Sequence, residues 1–456
     1  MKVKLSDHFT FKNIFKMVIG PVLMIIFSSL YSIVDGIYIS NYVGKTAFAA
    51  VNLIFPVIMI VGGLGFMFGT GGAALTSKLL GEGKKEDANN TFSMVVLTSI
   101  ITGLVFTLLL IFLIPPITRG LASFNKENSE EIIKIAIQYG RIMAIGETFF
   151  IMQNMFQSFF SVNEKSILGF YFTLASGLTN ILLDFIFVGV LSLGVVGAAV
   201  ASISAMFIGA VGPFIYFLVY KKGLIYIGKP IYKFSSMFKV CTNGCSEFFT
   251  NIANSVVSIV FNTQLLKYIG EDGVATYGIL MYIGYVFIAI FIGYSIGITP
   301  VIGFNYGAKN KNELTNVLRK SFLIIGITGI LMTLISEIFA KEITYIFANS
   351  STELHELAIR ATRIYSLIYL VNGFSIFGSS FFTALNNGLI SAIISLTRAL
   401  VLQIAAVYIF PLFMGIDGIW WAVVFAEIGS IIMTILFIVL NKKKYGYSVF
   451  FLNKNS

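Results

Sequence analysis

The sequence predicts an all-α membrane protein with twelve transmembrane helices in two six-helix lobes, related by a pseudo-two-fold axis along the membrane normal. Of its 456 residues, 57% are hydrophobic and 11% are charged, and the mean hydropathy is +0.90. A soluble domain usually carries about 25% charged residues. The apolar runs are continuous and long, whereas a membrane β-barrel would show short strands of alternating polarity. The chain also repeats itself after six such runs, which predicts the two lobes.

The spans follow from length, because about 20 mainly apolar residues cross a bilayer. Twelve candidates are predicted at 14–39, 51–77, 92–114, 132–160, 166–188, 195–220, 238–266, 276–302, 318–340, 357–384, 389–411 and 418–440. The first run continues past twenty residues without a small-residue cleavage site, so we expect a retained helix and not a signal peptide.

The basic residues predict the orientation. With both termini on one side, 21 of the 31 Lys and Arg residues fall in loops on that side. The positive-inside rule then places both termini in the cytoplasm and the chain in the cytoplasmic (inner) membrane. The net charge of +10 is explained by these loops. No basic stripe with interleaved aromatic residues indicates nucleic-acid binding.

The repeat defines the predicted domains. "VGKTAFAAVN" at 43–52 aligns with "IGEDGVATYG" at 269–278, and "LGVVGAAVAS" at 193–202 aligns with "MGIDGIWWAV" at 414–423. We therefore expect an N-terminal lobe at 1–220, a cytoplasmic linker at 221–239 and a C-terminal lobe at 240–456. Each repeat contains an even number of spans, so both insert with the same polarity. Two parallel repeats predict a central cavity between the lobes.

Acidic residues within the spans are the main candidates for function, because an ionisable group in hydrocarbon is costly. Five acids fall there: Asp35, Glu147, Asp184, Glu247 and Glu427. Asn180 lies one helical turn before Asp184 on the same face, and Ser202 in the next span can reach the same depth. These oxygens suit a proton or a small hard cation such as Na⁺. The alternative is that Asp35 and Asp184 are separate structural acids, each with its own partner.

The repeat favours a functional role for these two acids. Asp184 aligns with Ala405, and Asp35 aligns with Phe261. Acids needed only for folding would more often occur in both halves. We therefore predict that the N-terminal lobe couples to the ion.

Several motifs resemble the multidrug and toxic compound extrusion (MATE) family, in its DinF-like and MepA-like bacterial branch. They are "VDGIYISNYVG" at 34–44, "NILLDFIFVGVLSLGVVGAAVAS" at 180–202, "GCSEFF" at 244–249, "PVIGFNYGAKN" at 300–310 and "PLFMGIDGIWWAVVFAE" at 411–427. The resemblance implies cation-coupled export of amphiphilic, often cationic, compounds. It also implies a proton or sodium site in the N-terminal lobe, formed here by Asp35, Asn180, Asp184 and Ser202.

Other polar residues in the spans have two interpretations each. Gln153, Asn154 and Gln157 either line the cavity or join helices. Glu247 is a further candidate for the substrate cavity. Pro21 is either a hinge of the first span or a static kink.

Several functional classes find no support. No metal site is indicated beyond Na⁺ at Asp35, Asn180 and Asp184, and no cofactor is expected apart from H⁺ or Na⁺ as coupling ion. The sequence contains no Walker A motif, no HExxH and no nucleophile elbow, so an enzyme is not expected.

We predict a cation-coupled antiporter that exports amphiphilic, cationic compounds by alternating access. Its partners would be small molecules and the lipid bilayer, with the protein a monomer. One alternative is a flippase for lipid-linked precursors, although the 14 spans and arginine-rich cavity expected of it are missing. Another alternative is a non-transporting receptor or scaffold.

Overall fold

The computed structural model describes residues 3–123, 129–345 and 352–448. Twelve long helices account for most of these residues. They are α1 (Phe11–Val43), α2 (Lys45–Gly81), α3 (Lys85–Ser123), α4 (Glu130–Val162), α5 (Ser166–Val190), α6 (Gly194–Val219), α7 (Phe234–Tyr268), α8 (Glu271–Gly307), α9 (Lys311–Ile338), α10 (Thr352–Ala384), α11 (Gly388–Met414) and α12 (Ile416–Tyr445). A short helix, Ala340–Tyr345, follows α9.

The helices match the predicted spans in number and order. Ten of the twelve are long and apolar enough to cross a membrane by length and hydropathy alone. The other two, α4 and α7, are 33 and 35 residues long but carry more polar side chains. Most of the helices extend beyond the predicted spans by one or two turns, since a helix continues past the hydrocarbon until a turn stops it.

The turns between helices show the duplication in the backbone. Left-handed φ values recur at the repeat spacing: Gly44 (+110°) with Gly270 (+90°), and Gly194 with Gly415 (both +59°). Glycine is favoured there because a Cβ atom strains this conformation. The same helix–helix turns are therefore built twice in the chain.

Each lobe has its own apolar core, and the lobe contacts are reciprocal. Within the N-terminal lobe α2 packs mainly on α4 and α1 on α5, and within the C-terminal lobe α8 packs on α10 and α7 on α11. Between the lobes α1 packs on α8 and α2 on α7, while α2 and α8 also touch each other. Exchanging the two lobes leaves this pattern unchanged, as a pseudo-two-fold axis requires.

The lobes approach most closely at the end of the bundle that carries the start of α1, the linker and the end of α12, here called the linker end. There, a Cβ on Gly244 would overlap the backbone carbonyl of Met67, and one on Gly307 would overlap that of Lys78. Glycine thus allows helix backbones of the two lobes to touch. The structure is closed at the linker end.

Residues 3–10 form an N-terminal strap across the linker end. The backbone N–H of Leu5 donates to Oε1 of Glu164, in the turn between α4 and α5, at 2.6 Å. The N–H of Phe9 donates to Oε1 of Glu313 on α9 at 2.8 Å, and Nδ1 of His8 lies 2.8 Å from the other oxygen of that carboxylate. Leu5 and Phe9 are buried, with 1% and 0% of their surface exposed. The strap thereby connects the two lobes.

The linker is held on the N-terminal lobe. Oδ1 of Asn163 accepts hydrogen bonds from the N–H groups of Leu224 (2.7 Å) and Ile225 (3.3 Å). Helix α7 already begins at Phe234, so residues 234–239 of the predicted linker are helical. The predicted lobe boundaries remain predictions, and their outer limits at residues 1 and 456 lie outside the described residues.

Candidate functional site

Two helices of the N-terminal lobe, α1 and α5, position the candidate acids. Asp35 lies one turn before the π-helical end of α1, Ile39–Val43, and Asp184 directly precedes the π-helical end of α5, Phe185–Val190. A π-helical turn is often found at functional sites. The helices pack closely because Gly177 on α5 leaves room for the ring of Tyr31 on α1.

The carboxyl groups of Asp35 and Asp184 are close neighbours. Asp184 is fully buried and Asp35 is half-buried. Among the described residues, no side chain or backbone group donates a hydrogen bond to either oxygen of Asp184 or to Oδ1 of Asp35. Two carboxylates this close repel each other unless a proton or a cation lies between them. The pair therefore has the chemistry of a site for H⁺ or Na⁺.

Asn180 and Ser202 form the neighbouring polar pair. Nδ2 of Asn180 donates to Oγ of Ser202 at 3.5 Å, a long hydrogen bond that joins α5 to α6. Asn180 is buried, and it occupies the same face of α5 as Asp184. The structure thus brings the four predicted residues into one lobe as two pairs, Asp35 with Asp184 and Asn180 with Ser202.

Two tyrosines that were not predicted as site residues complete this cluster. Tyr139 on α4 is 1% exposed and lies close enough to both acids to interact with their charges. Tyr31 lies near both Asp35 and Gln153. The sequence contains 21 tyrosines, and nothing in its pattern distinguishes these two.

The three amides of α4 have different surroundings. Gln153 faces Tyr31 and packs against Gly209 of α6. Nδ2 of Asn154 donates to the backbone oxygen of Gly62 at 3.4 Å, so this residue joins α4 to α2. Gln157 is buried, and its Oε1 accepts no hydrogen bond from the described residues.

A cavity lies between the lobes, on the linker side of the acid pair. It is lined by Phe66, Thr70, Ser158, Glu247, Ile292, Ser295, Ile296, Thr299, Ile376, Ser380 and Thr383, from α2, α4, α7, α8 and α10. Glu247 is the ionisable residue of this lining, and the other side chains are hydroxyl-bearing or apolar. The cavity has a volume of about 40 Å³, well below the roughly 300–1,000 Å³ of ligand pockets, so an amphiphilic molecule with one positive charge fits only when the lobes move apart.

The remaining acids of the spans differ in their partners. In the C-terminal lobe, Nη1 of Arg398 lies 3.3 Å from Oε1 of Glu427, and both side chains are largely buried. Arg398 also lies near enough to Glu247 to attract its charge. Glu147 on α4 is 1% exposed, and neither of its oxygens accepts a hydrogen bond within the described ranges.

Pro21 lies within α1, which continues as a helix on both sides of it. Proline has no N–H, so the carbonyl of Met17 loses its helical partner. The residue is buried where α1 packs on α8, with its own carbonyl oxygen against Gly293. The hinge remains a prediction.

Two repeated helical lobes with a cavity between them are the architecture of a multi-pass membrane transporter. The MatE family model matches the chain twice, at residues 21–186 and 248–409. The matches start 227 residues apart (248 − 21), which agrees with the sequence repeat. The chain belongs to the MATE family of transporters, as its motifs predicted, and it is not an enzyme.

Known proteins agree with this assignment. The "Multidrug export protein MepA" of Staphylococcus saprophyticus is 24% identical over 435 residues, and the match covers 94% of each chain. A crystal structure of "MATE in complex with MaL6" matches with a TM-score of 0.90 and 23% identity over 98% of each chain. An "outward-facing conformation of a multidrug resistance MATE family transporter" matches with a TM-score of 0.89 over 95% of this chain and 96% of that one. The twelve-helix, two-lobe fold is thereby confirmed.

Proposed function

We propose that this protein is a cation-coupled antiporter that exports amphiphilic, cationic compounds by alternating access. The observation that carries the proposal is the Asp35–Asp184 pair. Among the described residues, three of its four carboxyl oxygens accept no hydrogen bond, so a proton or a cation is needed to relieve their repulsion. The name of the MepA relatives, multidrug export protein, supports the direction of transport and the breadth of substrates.

The proposed coupling uses one lobe in two states. When Asp35 and Asp184 hold the ion, their repulsion is relieved and α1 and α5 can stay close. When the ion leaves, the repulsion favours a rearrangement of α1, with Pro21 as its hinge. Substrate binding and ion binding must then weaken each other to the same degree, because linkage is reciprocal. A tenfold effect corresponds to about 1.4 kcal/mol.

The proposed substrate site is the cavity between the lobes, in the state in which the lobes have moved apart and enlarged it. Glu247 supplies a negative charge, and hydroxyl and apolar side chains surround it. Gln153, Asn154 and Gln157 lie deeper in the N-terminal lobe, where Gln153 contacts the acid cluster through Tyr31. A site with one charge and few directed hydrogen bonds suits substrates that share charge and apolarity more than shape.

The experiment is export from proteoliposomes under an imposed proton or sodium gradient, each applied alone. Asp184→Asn should abolish gradient-driven export of a cationic dye, whereas the protein should still fold and insert. Asp87→Asn is the control, because this acid sits at the linker end with 46% of its side chain exposed. Wild-type export by Asp184→Asn would remove the acid pair from the mechanism.

A second measurement addresses the substrate. Glu247→Gln should weaken export of a cationic dye more than export of a neutral one of similar size. Equal effects on both dyes would assign Glu247 a structural role. A flippase of lipid-linked precursors would instead respond to neither dye, and a receptor or scaffold would give no flux of any ion.

We also propose that the protein is a monomer in the cytoplasmic membrane, with both termini and the linker in the cytoplasm. The concentration of Lys and Arg at the linker end supports this orientation. Lys229 is exposed on the linker, so Lys229→Cys should react with a membrane-impermeant thiol reagent only after the cells are opened. Reaction in intact cells would reverse the topology.

A further inference from the structure

We propose that a basic cleft on the outer surface of the C-terminal lobe binds the headgroup of an anionic phospholipid. The cleft lies at the linker end, between the start of α9, the end of α12 and the start of α1. Its lining is Phe11, Lys311, Asn312, Thr315, Asn316, Arg319, Lys320, Leu323, Gly446, Tyr447 and Ser448, and its volume is about 790 Å³. It is separate from the acid pair and from the cavity between the lobes.

The charge of the cleft is positive. Lys311, Arg319 and Lys320 supply three cationic groups from the first three turns of α9. The acid of this region, Glu313, is buried, and its carboxylate already accepts hydrogen bonds from the N–H of Phe9 and from Asn316 and faces His8. Glu313 therefore adds little opposing charge to the cleft, and a phosphate can bind to the cationic groups that line it.

The cationic groups are also held in position. Nζ of Lys320 donates to the backbone oxygen of Phe9 at 2.6 Å and lies 5.4 Å from the centre of the Phe11 ring. Nη2 of Arg319 donates to Oγ of Ser448 at 3.1 Å, and the N–H of Ser448 donates to Oγ1 of Thr315 at 3.1 Å. A positioned guanidinium loses less conformational entropy when it binds a phosphate.

An apolar surface begins where the cleft ends, and this favours a lipid over free phosphate. Leu323, Ile327, Ile330 and Leu334 lie on one face of α9 and are 48%, 51%, 52% and 50% exposed. Phe15, one turn after Phe11, is 63% exposed. A bound phosphate ester would therefore have its acyl chains directed along exposed apolar helix surface. Basic pockets between helix ends at a membrane surface recognise anionic lipid headgroups in this way.

The test is native mass spectrometry of the full-length purified protein, titrated with phosphatidylglycerol or with phosphatidylcholine. We expect tighter binding of phosphatidylglycerol. The Lys311→Gln/Arg319→Gln variant should lose this preference by roughly 25-fold, taking about fivefold for each cationic group that contacts the phosphate directly. Lys442→Gln/Lys443→Gln is the matched control, because it removes the same charge at the same end of the bundle without changing the cleft lining.

Three outcomes would overturn the proposal. They are an equal loss in both double variants, binding that does not distinguish the two lipids, and complete competition by inorganic phosphate at the affinity of the lipid. If the double variant does not elute as a folded protein, Lys311→Gln alone replaces it, with an expected loss of about fivefold. The lipid-binding measurement does not depend on transport, so the lipid site and the proposed function can fail separately.

Discussion

The linker end of the protein should open when a single methyl group is added at Gly307. A Cβ there would lie 2.9 Å from the carbonyl carbon and 3.1 Å from the Cα of Lys78, and it would overlap the carbonyl oxygen. Ordinary contacts of a Cβ begin at 3.4 Å, so α2 and α8 must separate by at least 0.5 Å (3.4 − 2.9). The neighbour is backbone of the opposite lobe and cannot rotate away.

The energetic effect follows from overpacking, which costs about 1–3 kcal/mol in a tight contact. Only the closed arrangement contains this contact, so Gly307→Ala destabilises the closed state and leaves the open one unaffected. A bias of that size shifts the ratio of closed to open molecules by about 5- to 150-fold.

The assay is a spin-label distance between Lys222→Cys on the linker and Lys444→Cys near the end of α12, with both native cysteines replaced by serine. Gly307→Ala should move the distance distribution toward longer values. The control is Gly278→Ala on the same helix, where no atom lies within 4 Å of the added methyl group. Identical distributions for the two variants would show that close backbone packing does not hold the linker end closed.

Three further predictions concern stability and the ends of the lobes. Arg398→Met should lower the free energy of unfolding by about 3–5 kcal/mol, because it leaves Glu427 buried without its partner. The melting temperature should recover in Arg398→Met/Glu427→Leu. No recovery would argue against a stabilising role of the pair. Asn163→Ala removes the acceptor of two linker amides, which should lower the free energy of unfolding by about 1–3 kcal/mol. The two amides should also exchange their hydrogens faster. Unchanged exchange would mean that other contacts hold the linker. Burial raises the pKa of Glu164 in the folded protein above its usual value near 4.5. The contribution of this group to stability is therefore present below pH 4.5 and is lost as the pH rises through the raised pKa of the folded protein. After correction for intrinsic rates, the Leu5 amide should therefore exchange faster at neutral pH than at pH 4 in the wild type, but not in Glu164→Gln.

Much of the fold could be predicted from the sequence because lipid leaves few choices. Every backbone N–H and C=O in hydrocarbon needs a partner within its own segment, so a long apolar run becomes a helix. The repeat could be recognised in the sequence because equivalent turns need the same residue type: Gly44 and Gly270 both lie between helices and both adopt a left-handed φ. The sequence also indicated which acids are candidates for function, because a carboxyl group inside a span is rare and costly.

The class of fold, the duplication and the residue types of the candidate site could therefore be inferred from the residues alone. Tertiary packing is what brings Asp35 to Asp184, places Tyr139 beside them and turns Glu247 toward a cavity between the lobes. It also decided that Leu5 and Phe9, in a polar terminal segment, are buried in a strap across both lobes. Helix formation depends on neighbours along the chain, which a sequence shows directly. Contacts between helices depend on how each helix is rotated about its axis and how deep it lies in the bundle. Both are set by packing against segments that are distant in the chain, so no local sequence pattern predicts them.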